Sequence, residues 1–138
     1  MTVAQDIATS LSLRLLELSL GVNCFYGPYL YSDDNLIPFR CVFVVESGGL
    51  DVFPYNGEDR NGERRTRVDI TIRENKEQFG RGEDLAVRVS DALDMNPPVG
   101  YVETRTINTS PIYLRKDDVG SHLWLVNVDT LKVGTPSV

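Results

Sequence analysis

Residues 65–74 read Arg65-Thr66-Arg67-Val68-Asp69-Ile70-Thr71-Ile72-Arg73-Glu74. Val68, Ile70 and Ile72 alternate with Arg67, Asp69, Thr71 and Arg73. Successive side chains of a strand point to opposite faces. This period of two therefore describes a strand with one face in a core and the other carrying charge. No catalytic cluster accompanies it. A sheet with one charged face and no chemistry on it points to a protein that binds, assembles or lines a channel, and not to an enzyme.

Upstream, Phe39–Glu46 is apolar on both faces and rich in β-branched and aromatic residues, which suits a central strand. Ser47-Gly48-Gly49 marks a turn. Leu50–Tyr55 reads as a short strand that Pro54 confines to an edge. Asn56–Arg65 contains Asn56-Gly57 and Asn61-Gly62 and reads as a hairpin tip leading into the alternating strand. Nearer the start, Val3, Ile7, Leu11, Leu15 and Leu18 keep helical spacing, which predicts a helix over residues 3–20. Leu13, Leu16 and Leu20 widen its apolar stripe, and Gly21 and Asn23 supply a stop. Between these elements, Phe25–Pro38 reads as a loop rich in Tyr, Gly, Pro, Asp and Asn. Its tyrosines, Tyr26, Tyr29 and Tyr31, suit either a loop pinned to its own domain or an interface.

Downstream, a second helix is expected over Gly82–Met95. Leu85, Val89 and Leu93 form its ridge, and Glu83 and Asp84 fall in its first turn, where the helix dipole favours acid. Asn96-Pro97-Pro98 closes it. Three strands follow: Val99–Ile107, Ile112–Lys116 and His122–Val133. The last carries Leu123, Trp124, Leu125, Val126 and Val128, so it is expected near the sheet centre, beside Phe39–Glu46. The order predicts an α+β fold, with two main helices packed on one face of a largely antiparallel mixed sheet.

The 138 residues suit one domain, with its helix at 3–20, a sheet-and-helix core at 39–133 and a short tail at 134–138. A net charge of −6 argues against a general nucleic-acid binder. Arg60, Arg64, Arg65, Arg67 and Arg73 nevertheless cluster, as a solvated strand face, as a contact for an acidic protein partner or as a direct nucleic-acid contact. Cys24 and Cys41 are expected to be reduced, and no Cys-x-x-Cys pattern is present. No apolar stretch approaches the roughly 20 residues of a membrane span. The start lacks the features of a signal peptide, so folding in a cytoplasm is expected.

Chemistry-bearing motifs are weak. His122, the only histidine, opens an apolar strand and reads as structural. Gly80-Arg81-Gly82 lacks the spacing and lysine of a phosphate loop and is expected to begin the helix. Asp33-Asp34-Asn35 and Lys116-Asp117-Asp118 lack the ligand pattern of a calcium loop and read as turns. No catalytic residue, metal site or cofactor is expected.

The order of these parts carries a resemblance. A helix is followed by a Tyr-rich loop, Asp34-Asn35-Leu36-Ile37-Pro38, the apolar strand Cys41–Val45 and the turn Ser47-Gly48-Gly49. A polar hairpin, the alternating Arg67–Arg73 strand, a helix ending in Leu93-Asp94 and a Trp-containing strand complete it. Over residues 1–133 this resembles the tail terminator and minor capsid (tail completion, head–tail joining) proteins of tailed bacteriophages. The resemblance implies a structural virion protein, six copies of which close a ring at the head-proximal end of the tail tube. It implies the tail tube protein and the head–tail connector as partners, and DNA passing through without sequence-specific binding. It implies no cofactor, no catalytic residue and no membrane, with assembly in the host bacterial cytoplasm. A neighbouring neck or head-completion ring is one alternative, and a small ligand- or peptide-binding α+β module is another. A closed ring joins different patches of each subunit head to tail. The candidate contacts are Tyr29, Tyr31, Asn56, Arg60, Arg64, Arg65 and Arg67.

Overall fold

The computed structural model describes residues 2–27, 40–48 and 64–132. In chain order the elements are α1 (Val3–Arg14), β1 (Cys24–Tyr26), β2 (Cys41–Glu46), β3 (Arg64–Glu74), α2 (Phe79–Leu93), β4 (Tyr101–Thr106), β5 (Ile112–Lys116) and β6 (His122–Lys132). The fold is α+β: two helices and a six-stranded, mostly antiparallel mixed sheet.

Val68, Ile70 and Ile72 of β3 are fully buried, as their alternation requires. The path across the sheet is β1-β2-β3-β6-β4, with β5 also paired to β6. Of the described strand pairs, only β1 and β2 run parallel. β4 and β5 lie end to end along one side of β6, with Thr106 opposite Val128 and Ile112 opposite Leu125. The two doubly apolar strands are therefore not neighbours, because β3 lies between β2 and β6. The alternating strand is central because it pairs with β6 over its whole length, from Arg64–Lys132 to Glu74–His122.

Both helices cover one face of this sheet. Ile7 and Leu11 of α1 and Leu85, Val89 and Leu93 of α2 share one cluster with Val42, Val44, Ile70, Ile72, Trp124 and Val128. Helix α1 starts with a capping box. Thr2 Oγ1 accepts from the Gln5 amide at 3.1 Å, and Gln5 Oε1 accepts from the Thr2 amide at 2.7 Å. It ends at Arg14, six residues before the expected stop at Leu20, because Leu15 is extended (φ −114°, ψ 110°). Tertiary contacts fix the chain beyond it. Arg14 Nη1 donates to the carbonyls of Ala92 and Asn96 at 2.6 and 2.5 Å, and Asn23 donates back to the Glu17 carbonyl at 2.8 Å. Leu18 stays in the core at 2% exposure, whereas Leu13, Leu16 and Leu20 face solvent.

Cys24–Tyr26 forms a strand where the composition suggests a loop from Phe25 onward. Its partner is the parallel β2, a pairing that no local pattern encodes. Helix α2 starts at Phe79, three residues before the expected Gly82. Glu83 and Asp84 therefore fall beyond its first turn. Gly82 is buried against the sheet, where a Cβ would come within 2.5 Å of Trp124 Cη2 and 2.6 Å of Glu74 Cβ. Asn96-Pro97-Pro98 lies just past its end, as expected. The Leu50–Tyr55 strand and nearly all of the Asn56–Arg65 hairpin lie outside the described residues. The two final positions of that hairpin, Arg64 and Arg65, belong to β3.

Candidate functional site

No described helix covers the other face of the sheet, so its composition falls directly out of the strand alternation. At one end it is polar and charged. Arg67 of β3 and Arg105 of β4 both stand opposite Asp129 of β6, and Arg67 Nε lies 3.2 Å from Asp129 Oδ1. Arg65 is exposed beyond this row, and Asp69 and Asn127 form the next one. At the other end the face turns apolar, with Phe43, Thr71, Leu125 and Ile112 in one row. A cleft of about 240 Å³ opens there, lined by Phe43, Thr71, Arg73, Leu114, Arg115, Asp117 and Leu123.

Arg73 does not belong to the surface arginine cluster. Its Nε lies 2.9 Å from Asp117 Oδ2, and their side chains are only 5% and 4% exposed. Asp117 Oδ1 also accepts from the amides of Val119 at 3.0 Å and Ser121 at 2.9 Å. This carboxylate thus holds its own turn together, as expected of Lys116-Asp117-Asp118, and ties that turn to β3. Of the candidate contacts, Arg65 and Arg67 stand on the open face, and Arg64 is placed only as a backbone position in β3. Tyr29, Tyr31, Asn56 and Arg60 lie outside the described residues, as does Asp33-Asp34-Asn35.

The groups best equipped for chemistry are engaged elsewhere. His122 is 7% exposed and packs among Phe79, Tyr113 and Trp124, with ring centroids 5.0–5.8 Å from its own. Its Nε2 lies 3.0 Å from the Lys76 carbonyl, which can only accept, so Nε2 carries the proton. Its Nδ1 lies 2.9 Å from the Tyr113 hydroxyl, within hydrogen-bond distance. Tyr101, at the start of β4, donates to Asp6 Oδ2 at 2.6 Å. Burial, and then this bond to a carboxylate, push its phenol well above the usual range.

Cys24 and Cys41 are both free and buried. Burial pushes both thiols from the ordinary 9.0 up to about 11, although Arg73 partly offsets it at Cys41. The thiolate is the nucleophile, so neither cysteine is expected to react in the folded chain near neutral pH. The sign for stability follows. An unfolded thiol ionises near 9.0 and the folded one only near 11, so the contribution of these two thiols to stability is fully present below pH 9 and is lost as pH rises towards 11. Titration with a thiol-reactive dye should find no fast site in the native protein and two after unfolding. A fast native site would contradict the burial of these thiols.

Among the described residues, no three His, Cys, Asp or Glu side chains converge as a metal site would require. No described helix is long and apolar enough to cross a membrane. Comparison of the sequence with protein-family models and with curated proteins finds no match.

A second feature has no signal in the sequence. The most exposed large apolar side chains are Val99 at 102%, Leu16 at 99%, Met95 at 82% and Leu13 at 77%. They lie in two segments, flanking Arg14 and following α2, that the Arg14 bonds to Ala92 and Asn96 join. The expectation that Leu13 and Leu16 widen the buried stripe is not met. Leu13 lies within α1 but two residues past the buried Leu11, on the opposite side of the helix, and Leu16 follows the helix stop at Arg14, which no glycine or proline announces.

Proposed function

We propose that this chain is a structural ring subunit of a tailed bacteriophage. In this reading several copies, six by family resemblance, close the head-proximal end of the tail tube and dock it on the head–tail connector. The reading rests first on the order of sequence elements described above. The observation that carries it further is the sheet face that no described helix covers, which presents the Arg67–Asp129–Arg105 row and an apolar end. Such a face suits contact with another protein surface. The acidic net charge of −6 suits a wall past which DNA slides without adhering.

Electron microscopy of a phage lacking this gene tests the reading. Unjoined heads and tails, or tubes of irregular length, are expected. Normal joined particles would refute it.

A second reading, a small ligand- or peptide-binding module, draws on the cleft beside Phe43 and Leu114. At about 240 Å³ it falls below the roughly 300–1,000 Å³ of typical ligand pockets. Thermal stabilisation by a small ligand would favour that module over the ring.

A further inference from the structure

The cleft on the open sheet face owes its walls to an irregularity in β5. Tyr113 stands opposite Trp124 and Arg115 opposite Leu123, so β5 takes two steps where β6 takes one. In a regular strand, residues two apart share a face. Here Tyr113 packs against Trp124 on the helix side, while Arg115 and the extra residue, Leu114, both line the open cleft. A bulge of this kind re-aims side chains, and this one brings an apolar wall and a cation to the same opening.

Phe43 of β2 forms the facing wall, with Thr71 and Leu123 between. Since β3 and β6 separate β2 from β5, the two walls rise from backbones about 14 Å apart. The cleft holds about 240 Å³. That exceeds the roughly 150 Å³ of an apolar cavity that takes up benzene, and it falls below the range of drug-sized ligands. It is the size of one aromatic side chain with its stem, and the Phe43 ring suits such a neighbour.

The charged side chains that line the cleft are Arg73, Arg115 and Asp117. Both Asp117 oxygens are engaged, Oδ2 by Arg73 and Oδ1 by the amides of Val119 and Ser121. Arg115 is exposed and makes no ion pair among the described residues. Lys116 and Asp118, farther along the chain, are exposed and offset one another. Asp69 stands two residues from Thr71 on β3, towards the charged end of the face. An entering carboxylate is therefore favoured beside Arg115 and disfavoured beside Asp69.

We infer that this cleft is the socket for one aromatic side chain of a partner protein, in a segment that places a carboxylate over Arg115. The ring buries itself between Phe43 and Leu114, as the central anchors of protein interfaces do. The Arg73–Asp117 pair beneath is already fixed, so binding orders little. The inference deepens the ring reading and rests on it for the partner, a different protein that meets the open face.

The test uses the full, isotope-labelled chain and a capped pentapeptide with a central phenylalanine between two aspartates, titrated to about 10 mM. The backbone amide signals of Phe43, Thr71 and Leu123 should move, with a Kd below about 5 mM. Alanine in place of the peptide's phenylalanine should weaken binding at least about 10-fold. Lysines in place of its aspartates should weaken it about 5-fold. Arg115→Glu should reverse the preference between the acidic and basic peptides. Arg115 is exposed, so this variant should unfold thermally like wild type.

Unmoved signals at these positions, equal affinity for all three peptides, or an unchanged preference in Arg115→Glu would overturn the socket and leave the ring reading to the phage experiment. Tighter binding of phenylpropionate than of the peptide would also overturn it, and would make the cleft a site for a small acid. Normal particles from the gene deletion, by contrast, would remove the ring reading while the peptide still bound.

Discussion

Replacing Asp117 with alanine is expected to destabilise the fold by about 3–5 kcal/mol, the cost of breaking a buried ion pair from one side. The substitution removes the Asp117 carboxylate from beside the Arg73 guanidinium, whose side chain is 5% exposed. It also removes the acceptor that the Val119 and Ser121 amides share. Urea unfolding should show the loss as a lower midpoint with an unchanged slope. Arg73→Met combined with Asp117→Leu should recover part of it, because both charges of this pair are then replaced by apolar side chains. A loss below about 1 kcal/mol would put the pair among solvent-screened bridges and contradict its burial.

Two glycines of α2 should respond to alanine with opposite signs. Helix propensity alone favours alanine at both Gly80 and Gly82. At Gly80 nothing lies within 4 Å of the position an added methyl would take, so Gly80→Ala should stabilise by about 0.4–1 kcal/mol. At Gly82 the methyl would overlap Trp124 and the Glu74 stem, which back onto the sheet. Gly82→Ala should therefore cost about 1–3 kcal/mol, and Gly82→Val more. Thermal unfolding of the two alanine variants gives the comparison directly. Stabilisation by both would mean that α2 does not rest as closely on Trp124 as its position indicates.

What the sequence disclosed and what it hid divide along one physical line. Patterns within one element were legible. Val68, Ile70 and Ile72 marked the buried face of β3, Leu85, Val89 and Leu93 the ridge of α2, and Ile112–Lys116 a strand with its observed limits. Features that depend on partners far along the chain were not. Arg73 looked like one more surface arginine because Asp117, its partner, lies 44 residues away. Cys24–Tyr26 looked like loop because a three-residue strand beside a parallel neighbour leaves no period to detect. Leu13 and Leu16 read as part of the leucine-rich stripe, but Leu13 falls on the side of α1 away from Ile7 and Leu11, and Leu16 lies past the helix end at Arg14. Of the candidate contacts, Arg65 and Arg67 were legible as a charged strand face. The exposed apolar group at the C-terminal end of α2 was not, since spacing alone does not reveal which side chains a fold leaves outside.

The placement of β6 bears on how the protein is made. It is the last described strand to leave the ribosome, yet β3 lines one side of it and β4 with β5 line the other. Before residues 122–132 emerge, the sheet lacks its middle. Among the described strands, β3 then meets only β2, while β4 and β5 have no strand partner. Folding cannot proceed piecemeal from the N-terminus as synthesis advances. A nascent chain stalled before Leu123 can set α1 and α2 only on β1–β3, in a core that still lacks Trp124, Val126 and Val128. Quality control would therefore meet this protein either nearly finished or still open, with little between.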